Sequence, residues 1–353
     1  MRKLWSSCII LLLVFVLFAG LMAIIFNNGN LSSNGFPLQR QWSIDLGSEV
    51  NALSTNEGEI LLARTSNSLF ALDMQSGKIL WTHSLAWQAI PKPPIASKGS
   101  VYFADGAAIW ALDEKSGKVL WSQSVPYQEA DVKSVSDAAV AVDMAQDLIL
   151  YDAKTGTKIW NKAACRNEIQ AHILNDTVYV PCYGIRAINV ISGNDEWALE
   201  STKRIAKVGY AGGVLYYSPD SNSVAAFDLV NRKMLWEVPF SGDGLRQFSA
   251  HGEYLAITDS DRLCLLNRET GERLWCAQMN NPQVPAIIGN TVYVFNGYLN
   301  EISAFELSSG QPVGYLKIRK LRPFIVHEEL ITSSNDTLFF GNGHRIFAFG
   351  AEE

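Results

Sequence analysis

Residues 69–81 have the sequence LFALDMQSGKILW, and this thirteen-residue motif indicates the fold because it recurs along the chain. Clear copies are IWALDEKSGKVLW at 109–121, LILYDAKTGTKIW at 148–160 and LCLLNRETGERLW at 263–275, and weaker copies are IRAINVISGNDEW at 185–197 and VAAFDLVNRKMLW at 224–236. Their final tryptophans are 37 to 40 residues apart, at Trp81, Trp121, Trp160, Trp197, Trp236 and Trp275. A period of this size is typical of solenoids, propellers and other repeat arrays.

Each copy of the motif predicts two short strands joined by a tight turn. In residues 69–81, an apolar run ends at Asp73, a Ser-Gly pair follows, and a second apolar run carries Trp81. The aspartate can accept hydrogen bonds from backbone N–H groups just ahead of it, and Gly77 can adopt a positive φ. In 224–236 the glycine is missing, and we expect Asn231 to take that conformation. Because two more apolar runs precede each hairpin, the repeat predicts four strands, the content of one propeller blade.

The two ends of the chain complete one blade between them. Residues 41–45, which include Trp42, match the second, Trp-containing strand of the repeat hairpin, but no first strand precedes them. Residues 345–349 (RIFAF) match the first strand of the hairpin, but no Trp-containing strand follows them. Pairing these segments closes a ring and removes the open edge that a linear array would present. The predicted fold class is therefore all-β, an eight-bladed propeller of four-stranded antiparallel blades.

The repeat resembles that of the PQQ-like β-propellers, a superfamily that includes the quinoprotein alcohol dehydrogenases and the BamB-like outer-membrane assembly lipoproteins. The resemblance covers residues 38–350. It implies that Trp42 and the six repeat tryptophans pack between blades, and that a small residue ten positions earlier makes room for each ring. Alanine matches this pattern at 71, 111, 187 and 226, whereas Leu150 and Leu265 depart from it. The scaffold carries many functions, so function has to be argued from other residues.

The N-terminus predicts a membrane anchor. Residues 8–26 (CIILLLVFVLFAGLMAIIF) form an apolar run that, at about 1.5 Å per residue, nearly spans a hydrocarbon core of about 30 Å. Arg2 and Lys3 precede the run and no charge follows until Arg40, so we expect a single transmembrane helix with the propeller on the extracytoplasmic side of the cell membrane. A cleaved signal peptide is the alternative. The predicted boundaries are an anchor at 1–26, a polar linker at 27–37 and the propeller domain at 38–353.

The cysteines include two candidate pairs. Cys264 and Cys276 are symmetric about one hairpin turn, and Cys165 and Cys182 belong to neighbouring strands of another blade. Outside the cytoplasm such pairs can oxidise to disulfides. The alternative is that these thiols are small buried hydrophobic side chains.

Enzyme signatures are largely absent from the sequence. The resemblance to quinoprotein dehydrogenases implies adjacent cysteines over the cofactor and Glu, Asn and Asp ligands for calcium, yet the chain has no Cys-Cys pair. Asp259 and Asp261 are better explained as a turn than as a calcium loop, and His172, His251 and His327 as polar residues of innermost strands. We therefore predict no catalytic residue, no metal and no cofactor. PQQ bound in the channel is the alternative.

Basic residues recur in the segments that enter the innermost strands, at one mouth of the predicted channel. A ring of positive charges would focus the electric field there and attract an anionic partner. The net charge of −6 argues against nucleic acid as that partner. The alternative is that these cations are scattered and solvated, because the same segments carry Glu129 and Asp131. The candidate partner-binding residues are Arg204, Lys207, Arg246, Arg322 and the aromatic Trp87.

Two function classes follow from these features. The first is a membrane-tethered, monomeric, non-catalytic propeller that binds a protein or an anionic envelope polymer, as the BamB-like branch does when it scaffolds envelope assembly. The second is a PQQ-dependent dehydrogenase of minimal size, in which the basic residues at the same mouth of the channel would bind the carboxylates of the cofactor.

Overall fold

The computed structural model describes residues 31–55, 58–85, 92–125, 130–144, 147–163, 170–201, 205–219, 222–240, 245–296, 299–318, 330–334 and 336–351. These residues form eight antiparallel sheets, which are the eight blades of a propeller. The first strands of neighbouring blades contact one another around the centre. The predicted eight-bladed, all-β ring is confirmed.

Two strands precede the first repeat, β1 (Leu31–Asn34) and β2 (Gln39–Asp45). Blade 1 contains β3 (Val50–Thr55), β4 (Ile60–Thr65), β5 (Ser68–Asp73) and β6 (Ile79–Ser84), and blade 2 contains β7 (Ile95–Ser97), β8 (Ser100–Ala104), β9 (Ala108–Asp113) and β10 (Val119–Ser124). Blade 3 contains β11 (Ala130–Val135), β12 (Ala139–Met144), β13 (Asp147–Asp152) and β14 (Lys158–Ala163), and blade 4 contains β15 (His172–Leu174), β16 (Thr177–Cys182), β17 (Gly184–Asn189) and β18 (Asp195–Glu200).

The second half of the ring has the same plan. Blade 5 contains β19 (Ala206–Ala211), β20 (Val214–Ser218), β21 (Ser223–Asp228) and β22 (Lys233–Pro239), and blade 6 contains β23 (Gln247–His251), β24 (Tyr254–Thr258), β25 (Arg262–Asn267) and β26 (Arg273–Gln278). Blade 7 contains β27 (Pro282–Ile288), β28 (Thr291–Asn296), β29 (Glu301–Glu306) and β30 (Pro312–Ile318), and blade 8 contains β31 (Ile331–Ser334), β32 (Thr337–Asn342) and β33 (Arg345–Gly350).

Blade 8 is completed by β2, which pairs with β33 along its whole length, from Gln39 opposite Gly350 to Asp45 opposite Arg345. The predicted pairing of 41–45 with 345–349 is therefore confirmed. The first and last strands of the ring share one sheet, so the ring closes without an open blade edge between its ends.

The tight turn of each hairpin is built around the repeat aspartate or asparagine. In blade 1, Asp73 Oδ1 accepts hydrogen bonds from the Ser76 backbone N–H at 2.7 Å and the Ser76 hydroxyl at 2.6 Å, and these bonds lower the pKa of Asp73. Gly77 has a φ of +68°. In blade 5 the expected role of Asn231 was wrong, because the residue with positive φ is Arg232, at +55°. Asn231 instead occupies the position of Ser76 and bonds to Asp228.

The repeat tryptophans each dock on the hairpin turn of the next blade. Trp121 is 8% exposed, and its ring lies so close to Gly156 that a Cβ there would be 2.6 Å away. Its indole Nε1–H donates to the Ala153 carbonyl at 2.8 Å. The same bond, at 2.7 to 3.0 Å, joins Trp42, Trp81, Trp160, Trp236 and Trp275 to the carbonyls of Met74, Glu114, Val190, Arg268 and Leu307, respectively. Trp197 differs, because the guanidinium of Arg232 lies 5.4 Å from its ring.

An additional strand covers the outer edge of blade 7. β1 pairs antiparallel with β30, from Leu31 opposite Ile318 to Asn34 opposite Tyr315. The residue of β30 at the repeat Trp position is Gly314, and a Cβ there would lie 2.2 Å from the Gly35 backbone. Phe36 then packs edge-on against Tyr293 at 5.5 Å and Phe349 at 5.9 Å. Residues 31–34, assigned to the linker by sequence, are thus part of the propeller sheet.

The hydrophobic core lies between adjacent blades. One cluster, for example, joins Tyr216 and Val224 of blade 5 to Ile257 and Cys264 of blade 6. Among the described residues, no helix is long and apolar enough to cross a membrane. The anchor predicted for residues 1–26 lies outside the described residues.

Candidate functional site

The propeller has two faces that differ in their backbone connections. On the mouth face, the turns between second and third strands meet the segments that join one blade to the next. There Arg64 Nη1 donates to the Lys92 carbonyl at 3.1 Å, and the Arg246 N–H donates to the Thr258 carbonyl at 2.8 Å. On the opposite, hairpin face, the repeat turns contact the turns between first and second strands, as in the 2.9 Å bond from Met74 N to Glu59 O.

Arg246 is the candidate partner-binding residue whose side chain the structure describes. It is half-buried on the mouth face, immediately before β23, and its Nη1 donates to Asn281 Oδ1 at 3.0 Å. The backbone of Lys207 lies in β19, next to the mouth-face end of that innermost strand. Arg204, Arg322 and Trp87 lie outside the described residues, so their grouping with Arg246 stays a prediction.

Two other mouth-face cations have acidic partners. Lys133 Nζ lies 2.7 Å from Asp131 Oδ2 and 4.0 Å from Asp143 Oδ2. Arg262 Nη2 lies 2.7 Å from the buried Asp259, and its Nε lies 3.2 Å from Asp261. These pairs reduce the positive field that the sequence pattern predicts.

Hydroxyl groups on innermost strands link neighbouring blades. Ser54 Oγ donates to the Pro94 carbonyl at 2.7 Å, which joins blade 1 to blade 2. Thr55 and Thr332 are joined through their hydroxyls at 3.1 Å, and Ser134 Oγ accepts from the Ile173 N–H at 2.9 Å. These hydroxyl groups therefore help to hold the ring together.

Aromatic side chains of innermost strands pack between blades 4, 5 and 6. The imidazole of His172 stacks on the ring of Tyr210 with centroids 4.1 Å apart, and the Tyr210 hydroxyl donates to the Gln170 carbonyl at 3.0 Å. Burial lowers the pKa of His172 to about 4, so its imidazole is neutral at neutral pH. Phe248 covers Gly209, where a Cβ would lie 1.5 Å from the Phe248 ring. The packing of Phe248 on Gly209 was not predicted from the sequence. A glycine inside a strand, as at Gly209, indicates a close approach of another group and could have suggested it.

Cys264 and Cys276 form a disulfide across the hairpin of blade 6, where they are directly opposite in register. Cys182 is also disulfide-bonded. Cys165, its partner in the sequence prediction, lies outside the described residues. Disulfides are typical of proteins that reside outside the cytoplasm.

Comparison with known proteins gives a family. The sequence profile of a family described as outer membrane protein assembly factor BamB matches residues 39–196 and residues 183–353. The chain belongs to this PQQ-like β-propeller family. No curated protein sequence matches the chain.

Solved structures similar to this PQQ-like propeller include BamB, an alcohol dehydrogenase and a designed protein. BamB from Moraxella catarrhalis is 15% identical with a TM-score of 0.67, and the match covers 89% of this chain and 99% of that protein. Quinohemoprotein alcohol dehydrogenase from Comamonas testosteroni is 12% identical with a TM-score of 0.63, covering 89% and 76%. The computationally designed Ika8 protein is 13% identical with a TM-score of 0.68, covering 89% and 100%. At these identities the similarity shows the fold alone.

The fold similarity to a quinohemoprotein alcohol dehydrogenase raises the question of whether this propeller fits PQQ and calcium. A calcium ion needs several oxygen ligands, mainly carboxylates, yet the described residues contain no group of three His, Cys, Asp or Glu side chains that could hold a metal. The innermost strands carry hydroxyls bonded between blades, the neutral imidazole of His172 and the Asp131–Lys133 ion pair. The described residues therefore do not fit the cofactor.

Proposed function

We propose that this protein is a membrane-tethered, extracytoplasmic scaffold that binds an envelope protein or an anionic envelope polymer on its mouth face, without catalysis. The observation that carries the proposal lies in the innermost strands, where hydroxyl and aromatic side chains are engaged in blade-to-blade contacts. Membership of the BamB-like family supports a scaffold role. The apolar run at residues 8–26 and the disulfides support placement outside the cytoplasm.

The second candidate is a PQQ-dependent dehydrogenase of minimal size. It is favoured by the fold similarity to quinohemoprotein alcohol dehydrogenase. In that case mouth-face cations would hold the cofactor carboxylates by charge-assisted hydrogen bonds. It has less support, because the described residues of the innermost strands offer no group of carboxylate ligands for the accompanying calcium ion.

We predict that charge reversal on the mouth face weakens partner binding while the fold is kept. In the full-length triple variant R204E/R246E/R322E, repulsion replaces attraction at three positions, and we expect a loss of about 1 to 3 kcal/mol, roughly 5- to 150-fold in affinity. Wild-type binding should also fall as salt screens exposed charges over about 8 Å at physiological ionic strength. Quantitative pull-down of envelope components by tagged full-length protein measures both effects.

The matched control is K78E/K118E/K158E, which makes the same charge change at exposed positions by the hairpin-face turns. The control should recover the partner as wild type does. Equal recovery by both triple variants at low and high salt would contradict the proposed site, provided that thermal unfolding shows all three proteins to be folded.

A further inference from the structure

The strand β1 fixes where the N-terminal segment leaves the propeller. β30 begins just after the hairpin-face turn at Gly310 and ends at Ile318, whose N–H donates to the Asn300 carbonyl on the mouth face. β1 runs antiparallel to it, so Leu31, opposite Ile318, lies at the mouth-face edge of blade 7. The first residue of β1 therefore lies on the mouth-face side, at the rim of the ring.

The distance from this point to the apolar run is short. Only residues 27–30 separate Phe26 from Leu31. Five Cα steps span at most about 18 Å when fully extended, and the headgroup layer on one side of a bilayer takes up roughly 5 to 8 Å of that length. If residues 8–26 span the membrane, the blade 7 edge cannot move far from the lipid surface.

The side chains at this edge have the chemistry of a lipid contact. Leu299, in the turn between β28 and β29, is 45% exposed, and its turn is held by a 3.2 Å bond from Leu299 N to Asn296 Oδ1. Lys317 is exposed on β30, between Ser32 of β1 and Glu301 of β29. A leucine can insert between headgroups, and a lysine on the same edge of the blade can approach lipid phosphates while its stem covers apolar surface.

We propose that the mouth-face edge of blade 7 rests on the bilayer, with Leu299 and Lys317 as lipid contacts. This inference rests on the tether in the proposed function and adds an orientation to it. The propeller is held by a short connection on one rim, so its mouth face is inclined toward the membrane. A partner on the mouth face is thereby held close to the bilayer surface.

The test uses full-length protein in liposomes of phosphatidylcholine and phosphatidylglycerol that contain nitroxide-labelled lipid as a quencher. A fluorophore is attached to L299C, or to V230C as the matched control, both in a C8S background. Val230 is 62% exposed on the hairpin face, in the turn after β21. We expect quenching at position 299 to be several-fold greater than at position 230. Inserting a flexible linker of roughly 20 residues between Asn30 and Leu31, with a mean span of about 25 Å, should bring the two values together.

Two results would overturn the inference, and they are distinguishable. If the protein stays with the liposomes after alkaline extraction but both positions are quenched equally, the orientation is wrong and the tether stands. If alkaline extraction releases the protein, the tether fails and the orientation fails with it.

Discussion

Deletion of residues 345–353 is expected to abolish the closed ring. β33 lies between β2 and β32, so its loss leaves β2 without its ladder partner. It also removes three large buried side chains, Ile346, Phe347 and Phe349. Burial of three such groups contributes roughly 5 to 9 kcal/mol, which is comparable to the whole stability of a typical domain, about 5 to 15 kcal/mol. Urea unfolding followed by circular dichroism measures the change.

The control for this truncation removes only residues 352–353, which leaves the whole of β33 in place. That protein should unfold at the wild-type urea concentration. An unfolding midpoint near wild type for the longer deletion would contradict the closure of the ring through blade 8.

The substitution Trp121→Ala is expected to lower the free energy of unfolding by about 3 to 5 kcal/mol, the usual loss when a large buried aromatic site is emptied. The ring is 8% exposed, rests on Gly156 and donates to the Ala153 carbonyl. Trp121→Phe removes the indole donor and part of the buried ring, so its cost should exceed the roughly 1 kcal/mol of one hydrogen bond and stay below that of Trp121→Ala. Urea unfolding again provides the values.

Trp197→Ala is the matched comparison. Trp197 is half-buried and lies against Arg232 rather than a glycine, so its loss should be smaller than that of Trp121. A Trp121→Ala protein as stable as wild type would show that the repeat tryptophans do not hold the blades together.

Most of the fold could be predicted from the repeat, because the turn chemistry and the period are local features. The position of Arg232 was missed by one residue, since Asn231 was favoured for its tolerance of positive φ, while alignment with Gly77 selects its neighbour. The strand β1 was missed for a different reason. Residues 27–37 are polar, and the site for β1 on blade 7 is created by Gly314, which occupies the position of a repeat tryptophan nearly 280 residues later.

The site was predictable only in part, because it depends on contacts between blades. The recurrence of basic residues in the segments that enter the innermost strands predicted the position of Arg246 on the mouth face. The pairing of Lys133 with Asp131 could have been anticipated, since residues two apart share one face of a strand. The stack of His172 on Tyr210 could not, because these residues belong to different blades and meet only when the ring closes.

Titration with PQQ and calcium distinguishes a propeller that binds a partner from one that catalyses a reaction. Purified full-length protein is mixed with PQQ and Ca²⁺ and then assayed for dye-linked oxidation of primary alcohols and aldoses. For a non-catalytic propeller we expect no saturable PQQ binding and no dye reduction above the protein-free rate. Stoichiometric PQQ uptake with PQQ-dependent turnover would contradict the non-catalytic role and assign the mouth face to a dehydrogenase.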